Sequence, residues 1–548
     1  MPGRRRLERF DLILFAIVLL AAIPRLYLGA TQFIEYDGYW HIFTAQQDRW
    51  RNFVWDAQNL AHPPLYYLLL RFTLWLGKSH LAYRAIPLVA GLASVAVLGR
   101  IAAKVMRTTE GAVLTALAYG LALPGIILSC EVRAYGLCTL FALIAYSFFL
   151  DLIEAESLRP RVFLAVSAAL ACATEYYAVF FVCALAGIGV LLPLVRRREP
   201  LWKAWAREVA TFMPSAGVVV WLYFEQFRSH TVIQGHLLPF YYDPAGPETL
   251  GAFLLRNLQN AFDLFSPWPA AGPTVFLAIA AGLVVALGGT LWLLRRLREP
   301  KNLAAAATVV ATVVILVELV VASVLRVYPF GGFLRQQSIL FPFLVLCAWV
   351  LPDRLLAAIP RRAAYALAGL LSLAVLAVSY QAFNAYPKVK DTLLTEQMQK
   401  FDRLFPAPQA IYLDQFNLIA FYLHHDDWRW QFDGHVPGLP DLDVYRVSRG
   451  NKQLLVFRDR GRWILDCREP ALDANLAACL RSRSLARMDL FRLAQDEAPW
   501  EAAELRAYRK SIAESTVGAG LCLQELNVDG RDVYAEVRTG GCSAPPQP

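Results

Sequence analysis

Long apolar runs, separated by short polar or basic segments, fill the first two-thirds of the chain. Each is close to the ~20 residues that cross ~30 Å of hydrocarbon. The runs lie at 11–30, 84–106, 112–130, 133–152, 162–178, 179–195, 209–227, 274–294, 303–325, 333–351 and 363–383. After residue 386 no run is long or apolar enough to span. The pattern predicts a polytopic α-helical membrane protein with about eleven transmembrane helices and a soluble C-terminal domain.

The segments outside these runs complete the predicted organisation. The tail 387–548 mixes strand-like pieces ("AIYLD", "QLLVF", "DVYAEV") with helical ones, which indicates a small α/β domain. Residues 31–83 form a long first outer loop, in which 40–57 has the mixed aromatic and polar character of an interfacial helix. Pro63–Pro64 predicts the start of a second juxtamembrane helix that ends near Gly77. We therefore predict a transmembrane catalytic domain at 1–386 and a soluble domain at 387–548.

Charge predicts the orientation of these elements. Residues 1–386 hold 32 Lys and Arg against 21 Asp and Glu, whereas residues 387–548 hold 21 against 23. The basic clusters alternate between loops in the way that the positive-inside bias requires if the N-terminus is cytoplasmic. Eleven spans then place the C-terminal domain outside the cytoplasm, in the periplasm of an inner-membrane protein. The surplus belongs to membrane loops, so nucleic acid is not an expected partner.

Cysteines agree with an extracytoplasmic tail, where disulfides persist. The tail contains Cys467, Cys479, Cys522 and Cys542. Chain order suggests the pairs Cys467–Cys479 and Cys522–Cys542, although four cysteines allow three pairings.

Composition and motifs restrict the chemistry. A chain with 57% hydrophobic residues and a mean hydropathy of +0.41 is neither an ordinary soluble globule nor disordered. The sequence has no GxGxxG after a strand and no HExxH motif. An enzyme of this kind should take a donor that is already activated and anchored to lipid.

Ionisable groups gather instead at the predicted outer ends of the spans, where such groups are functional candidates. They are Glu35, Asp37 and His41 after the first span, His62 and Arg84 in the first loop, Glu131, Arg133 and Tyr135 between the third and fourth spans, Glu175 and Tyr176 between the fifth and sixth, and Arg335 between the ninth and tenth. We expect them to face a shared cavity at one lipid–water boundary.

Several of these residues lie in segments that carry a family resemblance. Asp37 in its aromatic setting, "HPPLYYLLL", "LSCEVRAYGLCTLFAL" and "RQQSILFPFL" resemble, in this order, the GT-C glycosyltransferases across roughly residues 10–350. The most similar branch contains protein O-mannosyltransferases, lipid A aminoarabinose transferases and lipopolysaccharide-core sugar transferases. The resemblance implies transfer of a sugar from a polyprenyl-phosphate donor to an envelope lipid, glycan or protein acceptor at the outer face of the bilayer.

The implied reaction gives roles to particular residues. Asp37 matches the family's first-loop catalytic aspartate and is expected to take the proton of the acceptor hydroxyl. The leaving phosphate needs positive charge, which a guanidinium supplies well. Arg133 and Arg335 are the expected phosphate ligands, with Arg84 and His62 behind them. One base opposite the leaving group implies inversion at the anomeric carbon.

Each role has a structural alternative. Asp37 could cap the following helix, Glu131 could pair with Arg133 rather than orient it, and Arg335 could anchor to headgroups. Glu35 could be a solvated neighbour, and His62 could simply begin its helix.

The sequence also departs from the family pattern. Gly38 follows Asp37 where relatives often have a second acid, and Glu175 stands where relatives often have histidine. Both changes leave the acceptor and metal use open. A group of Glu35, Asp37, His41 and His62 could hold a divalent cation, although no metal ligand is assigned from its spacing.

Two other functions remain as alternatives. A transporter or flippase would line a pathway with ionisable residues, but transporters tend to show matched halves with broken midplane helices. A membrane scaffold whose soluble domain binds a partner would not need the acid and the arginines together.

Overall fold

The computed structural model describes residues 2–59, 62–196, 200–226, 235–265, 299–387, 392–405, 408–461, 472–492, 520–528 and 533–540. The chain divides into two compact units. Unit 1 comprises Met1–Gln32 and Asp56–Lys388, and unit 2 comprises Phe33–Trp55 and Val389–Pro548. The segment Phe33–Trp55 from the first loop therefore groups with the C-terminal part of the chain, whereas the predicted domain boundary at 386 stays a prediction.

Helices make up the regular elements of the described chain as far as Leu404, and strands with two further helices follow. The helices are α1 Pro2–Thr31, α2 Tyr36–Ala45, α3 Trp50–Asn59, α4 Leu65–Thr73, α5 His80–Tyr83, α6 Ala85–Val105, α7 Thr109–Leu121, α8 Leu123–Cys130, α9 Tyr135–Glu154, α10 Leu158–Cys172, α11 Ala178–Arg196, α12 Leu201–Glu225, α13 Leu250–Phe265, α14 Pro300–Val324, α15 Phe341–Ala358, α16 Arg361–Ala385, α17 Thr392–Leu404, α18 Gln415–His424 and α19 Leu472–Ser482. The strands are β1 Ala410–Leu413, β2 Arg429–Val436, β3 Leu439–Arg449, β4 Lys452–Asp459, β5 Arg487–Arg492, β6 Leu521–Val528 and β7 Val533–Thr539.

Unit 1 contains the membrane-spanning helices. Within the described ranges, 6 helices are long and apolar enough to cross a bilayer, namely α1, α6, α9, α14, α15 and α16. A seventh is added if α7 and α8, which meet at a 49° bend, form one broken span. α10, α11 and α12 overlap three more of the predicted spans without meeting the same length and apolarity, and the predicted span 274–294 lies outside the described residues. The protein is thus a multi-pass membrane protein, but the predicted count of about eleven is not confirmed.

Prolines and glycine explain where several helices begin and end. α4 begins directly after Pro63–Pro64, as predicted, and the chain turns at Gly77, whose φ is +110°. α8 has Pro124 in its first turn, where a missing N–H does no harm, and the bend from α7 falls there. The predicted span 333–351 was wrong at its start, because residues Leu334–Gln337 form a 3₁₀ turn and α15 begins at Phe341, with a proline in its first turn.

A buried arginine ties α1 to its neighbours inside unit 1. Arg25 is 1% exposed, and its guanidinium donates to the carbonyls of Ala21 at 2.9 Å and Gly120 at 2.5 Å and to the hydroxyl of Ser129 at 3.2 Å. A charge at this depth is tolerated only with such partners. Gly91 of α6 permits the close approach, since a Cβ there would lie 2.0 Å from the Ser129 hydroxyl.

The described residues of unit 2 form a seven-stranded mixed sheet. The strand order is β2-β3-β4-β1-β5-β7-β6, with β1 parallel to β4 and to β5 and the other pairs antiparallel. Side chains such as Tyr412, Phe457 and Val537 form its core together with Leu476 and Leu480 of α19. The predicted C-terminal α/β domain is confirmed as a sheet with helices.

The first-loop helix α2 belongs to this unit through aromatic packing. Tyr36 stacks on Phe416 with ring centroids 4.8 Å apart. Phe43 meets the rings of Tyr422 at 5.0 Å and Trp430 at 5.9 Å. Aromatic pairs of this kind each contribute ~0.5–1.5 kcal/mol beyond the area they bury. The sequence predicted one helix over 40–57, whereas the structure has α2 and α3 with a break between them.

Polar contacts fix the end of the same segment. The carboxylate of Asp48 accepts the backbone N–H of Phe432 at 3.1 Å, and the Tyr445 hydroxyl donates to the side-chain oxygen of Gln47 at 3.2 Å. The guanidinium of Arg458 lies 5.3 Å above the ring of Phe43. Residues from α18 and from strands β2 to β4 therefore determine the position of α2 in unit 2.

The cysteines of unit 2 correct one expectation. Cys522 is disulfide-bonded, and Cys467 and Cys542 lie outside the described residues. Cys479 is a free thiol, so the suggested pair Cys467–Cys479 was wrong. Its side chain is fully buried on α19 in the core of the unit, where it packs as a small apolar group.

Candidate active site

The predicted base, Asp37, lies in the first turn of α2. A carboxylate is favourable there because the N-terminal end of a helix carries partial positive charge. Asp37 is half-buried and Glu35, which directly precedes the helix, is exposed. Glu35 occupies the N-cap position of α2, and its side chain forms no capping hydrogen bond with the helix.

His41 lies one turn further along α2, as its spacing from Asp37 predicted. It is 3% exposed, and its Nδ1–H donates to the backbone carbonyl of Asp37 at 2.6 Å. That bond fixes the imidazole tautomer and its orientation.

Tyr36 is the first residue of α2. Burial, with a smaller contribution from the charge of Asp414, raises the pKa of Tyr36 well above its usual value. Its hydroxyl thus stays protonated and donates to the backbone carbonyls of Gln415 and Phe416 at 3.3 and 3.2 Å.

Unit 1 brings together four of the predicted site residues, one of which is Tyr135 at the start of α9. Arg133 donates from Nη1 to the Tyr135 hydroxyl at 2.6 Å. The ring of His62 meets the ring of Tyr135 edge to face with centroids 5.8 Å apart. The Nδ1 atom of His62 lies 2.9 Å from Oε1 of Glu175. We call His62, Arg133, Tyr135 and Glu175 the Tyr135 cluster.

This cluster is largely withdrawn from solvent. Arg133 is 5% exposed, Glu175 is 3% exposed, and Tyr135 is 3% exposed. A carboxylate, an imidazole, a guanidinium and a phenol therefore share a low-dielectric region, in which their interactions are stronger than in water. Such a group can bind an anion through Arg133 while Glu175 orients His62.

Arg335 reaches the same region from the loop before α15. Its guanidinium lies 4.8 Å from the ring centroid of Phe333, and Arg335 belongs to the 3₁₀ turn Leu334–Gln337. The loop is held by Gly331, which has φ of +82° and whose Cβ would lie 2.6 Å from the carbonyl oxygen of Asn257. Only glycine fits there without strain.

Two residues to which the sequence analysis gave no site role link this loop to the cluster. Tyr177 stacks on Tyr135 with centroids 6.5 Å apart, and its hydroxyl lies 2.7 Å from the hydroxyl of Ser338. Ser338 in turn donates to the backbone carbonyl of Arg335 at 3.2 Å. The last tyrosine of "EYY" and the serine of "RQQSIL" are uncharged residues, so the pattern of charges along the sequence did not indicate them.

Tyr176 and Arg84 have partners that account for them structurally. Tyr176 donates to the side-chain oxygen of Gln226 at 2.7 Å, and the Gln226 amide donates to the carbonyl of Ala57 at 2.9 Å. Arg84 is 2% exposed and donates to the carbonyls of Cys130 and of Gly29, the latter at 2.8 Å. These bonds tie the first loop and α8 into unit 1, and the predicted substrate contacts of both residues stay predictions.

Glu131 lies two residues from Arg133 in the link between α8 and α9. Its backbone carbonyl accepts the Arg133 N–H at 2.8 Å, and its side chain is half-buried. This short turn presents Arg133 to Tyr135. A catalytic role for Glu131 stays a prediction.

The predicted site residues thus fall into two groups. Unit 2 carries Glu35, Asp37 and His41, and unit 1 carries the other eight, Glu131 among them. Their meeting in one cavity stays a prediction. The described residues contain one group of metal-ligating side chains close enough to share an ion, Asp402, His424 and His425, and it differs from the set suggested by the sequence.

Comparison with known proteins bears on both units. Residues 61–223 match the model of the family described as dolichyl-phosphate-mannose-protein mannosyltransferase. The fold is similar to that of ArnT from Cupriavidus metallidurans in the apo state, with 13% identity, 98% of each chain covered and a TM-score of 0.50. The resemblance to GT-C glycosyltransferases is confirmed. At this coarse level, the chain is similar to membrane-embedded glycosyltransferases.

Two further solved structures are similar. ArnT from Cupriavidus metallidurans bound to undecaprenyl phosphate shares 13% identity over 95% of this chain and 97% of its own, with a TM-score of 0.49. The Archaeoglobus fulgidus oligosaccharyltransferase in complex with Zn and sulfate shares 12% identity over 74% of this chain, with a TM-score of 0.44. The present chain spans 61% of the length of that archaeal enzyme. No curated protein matches the chain.

The matched segment 61–223 contains every residue of the Tyr135 cluster. It includes His62, Arg133, Tyr135 and Glu175, whereas Asp37 and Arg335 lie outside it.

Proposed function

We propose that this protein transfers a sugar from a polyprenyl-phosphate carrier to an acceptor at the extracytoplasmic face of the inner membrane. The observation that carries the proposal is the coincidence just described: the family-matched segment contains four polar residues that unit 1 brings into contact. The family's description names a dolichyl-phosphate-linked sugar as donor, which supports a lipid-linked donor here.

The proposed reaction needs one base. The acceptor hydroxyl attacks the anomeric carbon, the bond from that carbon to the phosphate oxygen breaks, and Asp37 takes the hydroxyl proton. Asp37 lies in the first turn of α2, where the helix dipole favours negative charge, and aromatic packing holds α2 in unit 2. A single displacement of this kind inverts the anomeric configuration.

The leaving polyprenyl phosphate needs cations rather than an acid. Arg133, whose guanidinium donates to the Tyr135 hydroxyl, and Arg335, in the turn before α15, are suited to bind its oxygens. Stabilisation of developing charge by such fixed groups is often the largest catalytic term. Glu175 holds His62 for contact with the donor or the acceptor.

A direct assay tests the proposal. Full-length protein in nanodiscs is incubated with a panel of polyprenyl-phosphate sugars and with extracted envelope lipids, glycans and proteins, and the release of polyprenyl phosphate and the labelled product are measured. We expect one donor to yield a product of inverted configuration. In sealed proteoliposomes, a donor that crosses the bilayer unchanged, with no product from any acceptor, would instead favour a flippase.

The orientation is tested separately by an impermeant thiol reagent on intact cells. Ala245 and Pro300 are exposed positions on opposite predicted sides. We expect labelling of Ala245→Cys and not of Pro300→Cys, over the background of the unmodified chain. The reverse pattern would invert the topology and remove the extracytoplasmic assignment.

A further inference from the structure

A second cluster of ligand-type side chains lies in unit 2, between helices α17 and α18. Asp402 comes from the last turn of α17, His424 ends α18, and His425 follows it. Oδ2 of Asp402 lies 3.1 Å from Nε2 of His424, and Oδ1 lies 3.7 Å from Nε2 of His425. All three ligand atoms are within 4.8 Å of one another.

These separations suit a metal ion. Zinc–nitrogen and zinc–oxygen bonds of ~2.0–2.2 Å in a tetrahedron put neighbouring ligand atoms roughly 3.3–3.6 Å apart. The observed contacts bracket that value, so small side-chain rotations would complete a three-ligand site. Two imidazoles and a carboxylate favour a borderline transition metal such as Zn²⁺ over Mg²⁺ or Ca²⁺, which prefer oxygen ligands.

The second nitrogen of His425 is already engaged in the way that metal-binding histidines require. Its Nδ1–H donates to the backbone carbonyl of Phe421 at 2.9 Å, which leaves Nε2 as the basic nitrogen toward Asp402. Stacking on Phe421 at 4.0 Å and an edge contact with Trp428 at 5.0 Å fix the ring. Outer hydrogen bonds of this kind orient metal ligands and raise their basicity.

Two of the three proposed ligand side chains are open to solvent. Asp402 and His424 have side chains that are 51% and 26% exposed. An ion and a water ligand can therefore reach the cluster.

Unit 2 contains a second histidine–aspartate pair, whose surroundings do not favour a metal ion. His435 lies 3.0 Å from Asp443. That carboxylate also faces Arg460 at 3.1 Å and Arg458 at 3.6 Å. Two guanidinium groups there oppose a bound cation, so His435 is a matched control.

We propose that Asp402, His424 and His425 bind one divalent transition-metal ion of the Zn²⁺ class, with water as the remaining ligand. The ion would join α17, the first helix of the soluble tail, to α18, whose Phe416 stacks on Tyr36 of α2. Its expected role is to stabilise unit 2, since a ligand that binds only the folded state raises its stability.

The test uses full-length protein in detergent, stripped with a chelator and titrated with Co²⁺ as a spectroscopic probe. We expect about one Co²⁺ per chain with a tetrahedral visible spectrum, displaced by Zn²⁺, and a higher melting temperature with Zn²⁺. Asp402→Asn and His424→Gln should lose both effects, whereas His435→Gln should keep both. Both substituted side chains are accessible, so the fold should survive, and circular dichroism checks this.

A gain of signal makes the test decisive. His424→Cys should keep Co²⁺ binding and add a thiolate-to-cobalt charge-transfer band, since thiolate is a good ligand for these metals. His435→Cys should add none. The proposal is overturned if the folded parent chain binds no Co²⁺, if binding is unchanged in Asp402→Asn and His424→Gln, or if His424→Cys gives no new band.

Discussion

The imidazole of His62 and the carboxylate of Glu175 lie 2.9 Å apart in unit 1, one before α4 and the other before α11. Their side chains are 13% and 4% exposed, so the contact is shielded from salt and water. Through the edge contact of His62 with Tyr135, it supports the position of Arg133 as well. The sequence analysis considered Glu175 and His62 separately, and the structure brings their side chains together.

The His62–Glu175 contact can be tested by a double-mutant cycle. We expect Glu175→Gln and His62→Gln each to slow sugar transfer, and the double variant to be little worse than the slower single variant. Residues in direct contact commonly show coupling of ~0.5–3 kcal/mol. The measurement is kcat/KM for the donor identified by the transfer assay. Strictly additive losses would mean that the two residues act separately.

Arg133 is expected to act on the donor phosphate through its planar guanidinium. Arg133→Ala should lower kcat/KM by about 10²–10³-fold, the usual effect of losing one group that stabilises developing charge. Arg133→Lys should recover only part of this, because an ammonium cannot donate in the same bidentate way.

Arg100→Ala is the matched control for Arg133. Arg100 pairs with Asp11 at 3.4 Å, with side chains 67% and 54% exposed, and such surface pairs contribute little. Full activity in Arg133→Ala, with correct membrane insertion, would remove this residue from donor binding.

The stability of unit 2 should depend on pH through Asp489. This side chain is 2% exposed in β5, and burial, opposed by Arg487 and reinforced by Glu536 on the paired strand, raises its pKa to about 7. The folded chain then holds a proton that the unfolded chain releases above its ordinary pKa of 3.8. Stability from this group is therefore full below about pH 4 and falls as pH rises to about 7, by roughly 4 kcal/mol.

The comparison of Asp489→Asn with the parent chain isolates that effect. Thermal unfolding of unit 2 in the full-length protein, followed by circular dichroism, should show the parent chain losing more stability than the variant between pH 5 and pH 8. The variant should be the more stable of the two at pH 8. Parallel pH profiles for the two chains would contradict the assignment to Asp489.

The apolar pattern was sufficient to predict most of the helices of unit 1. α1, α6, α9, α14 and α16 coincide with predicted spans because uninterrupted apolar runs of that length have few other stable environments. The tenth span began too early because hydropathy does not register the left-handed turn at Gly331. The count of eleven was not confirmed, because several predicted spans are helices that are too short or too polar to be assigned clearly as membrane-spanning.

The sequence was less informative about which elements come together. Aromatic residues in α2 fit an interfacial helix as well as a helix packed on a sheet, so the contact of Tyr36 with Phe416 had no local signal. Within unit 1, the sequence analysis identified the charged candidates for the site, because ionisable groups near membrane spans are rare and therefore stand out. Tyr177, Gln226 and Ser338 were given no site role because neutral hydrogen-bonding residues are common in ordinary cores.

The central claim is that Asp37 accepts the proton of the attacking hydroxyl. Asp37→Asn preserves size and polarity but removes the base, so inserted, folded protein should lose transfer by about 10²–10⁴-fold while still binding the donor. Asp427→Asn is the control, because Asp427 forms a half-exposed pair with Arg449 at 3.0 Å on the surface of unit 2. The decisive measurement is the single-turnover rate of sugar transfer at saturating donor for these two variants. The account predicts a near-complete loss for Asp37→Asn alone, and a parental rate for that variant would contradict it.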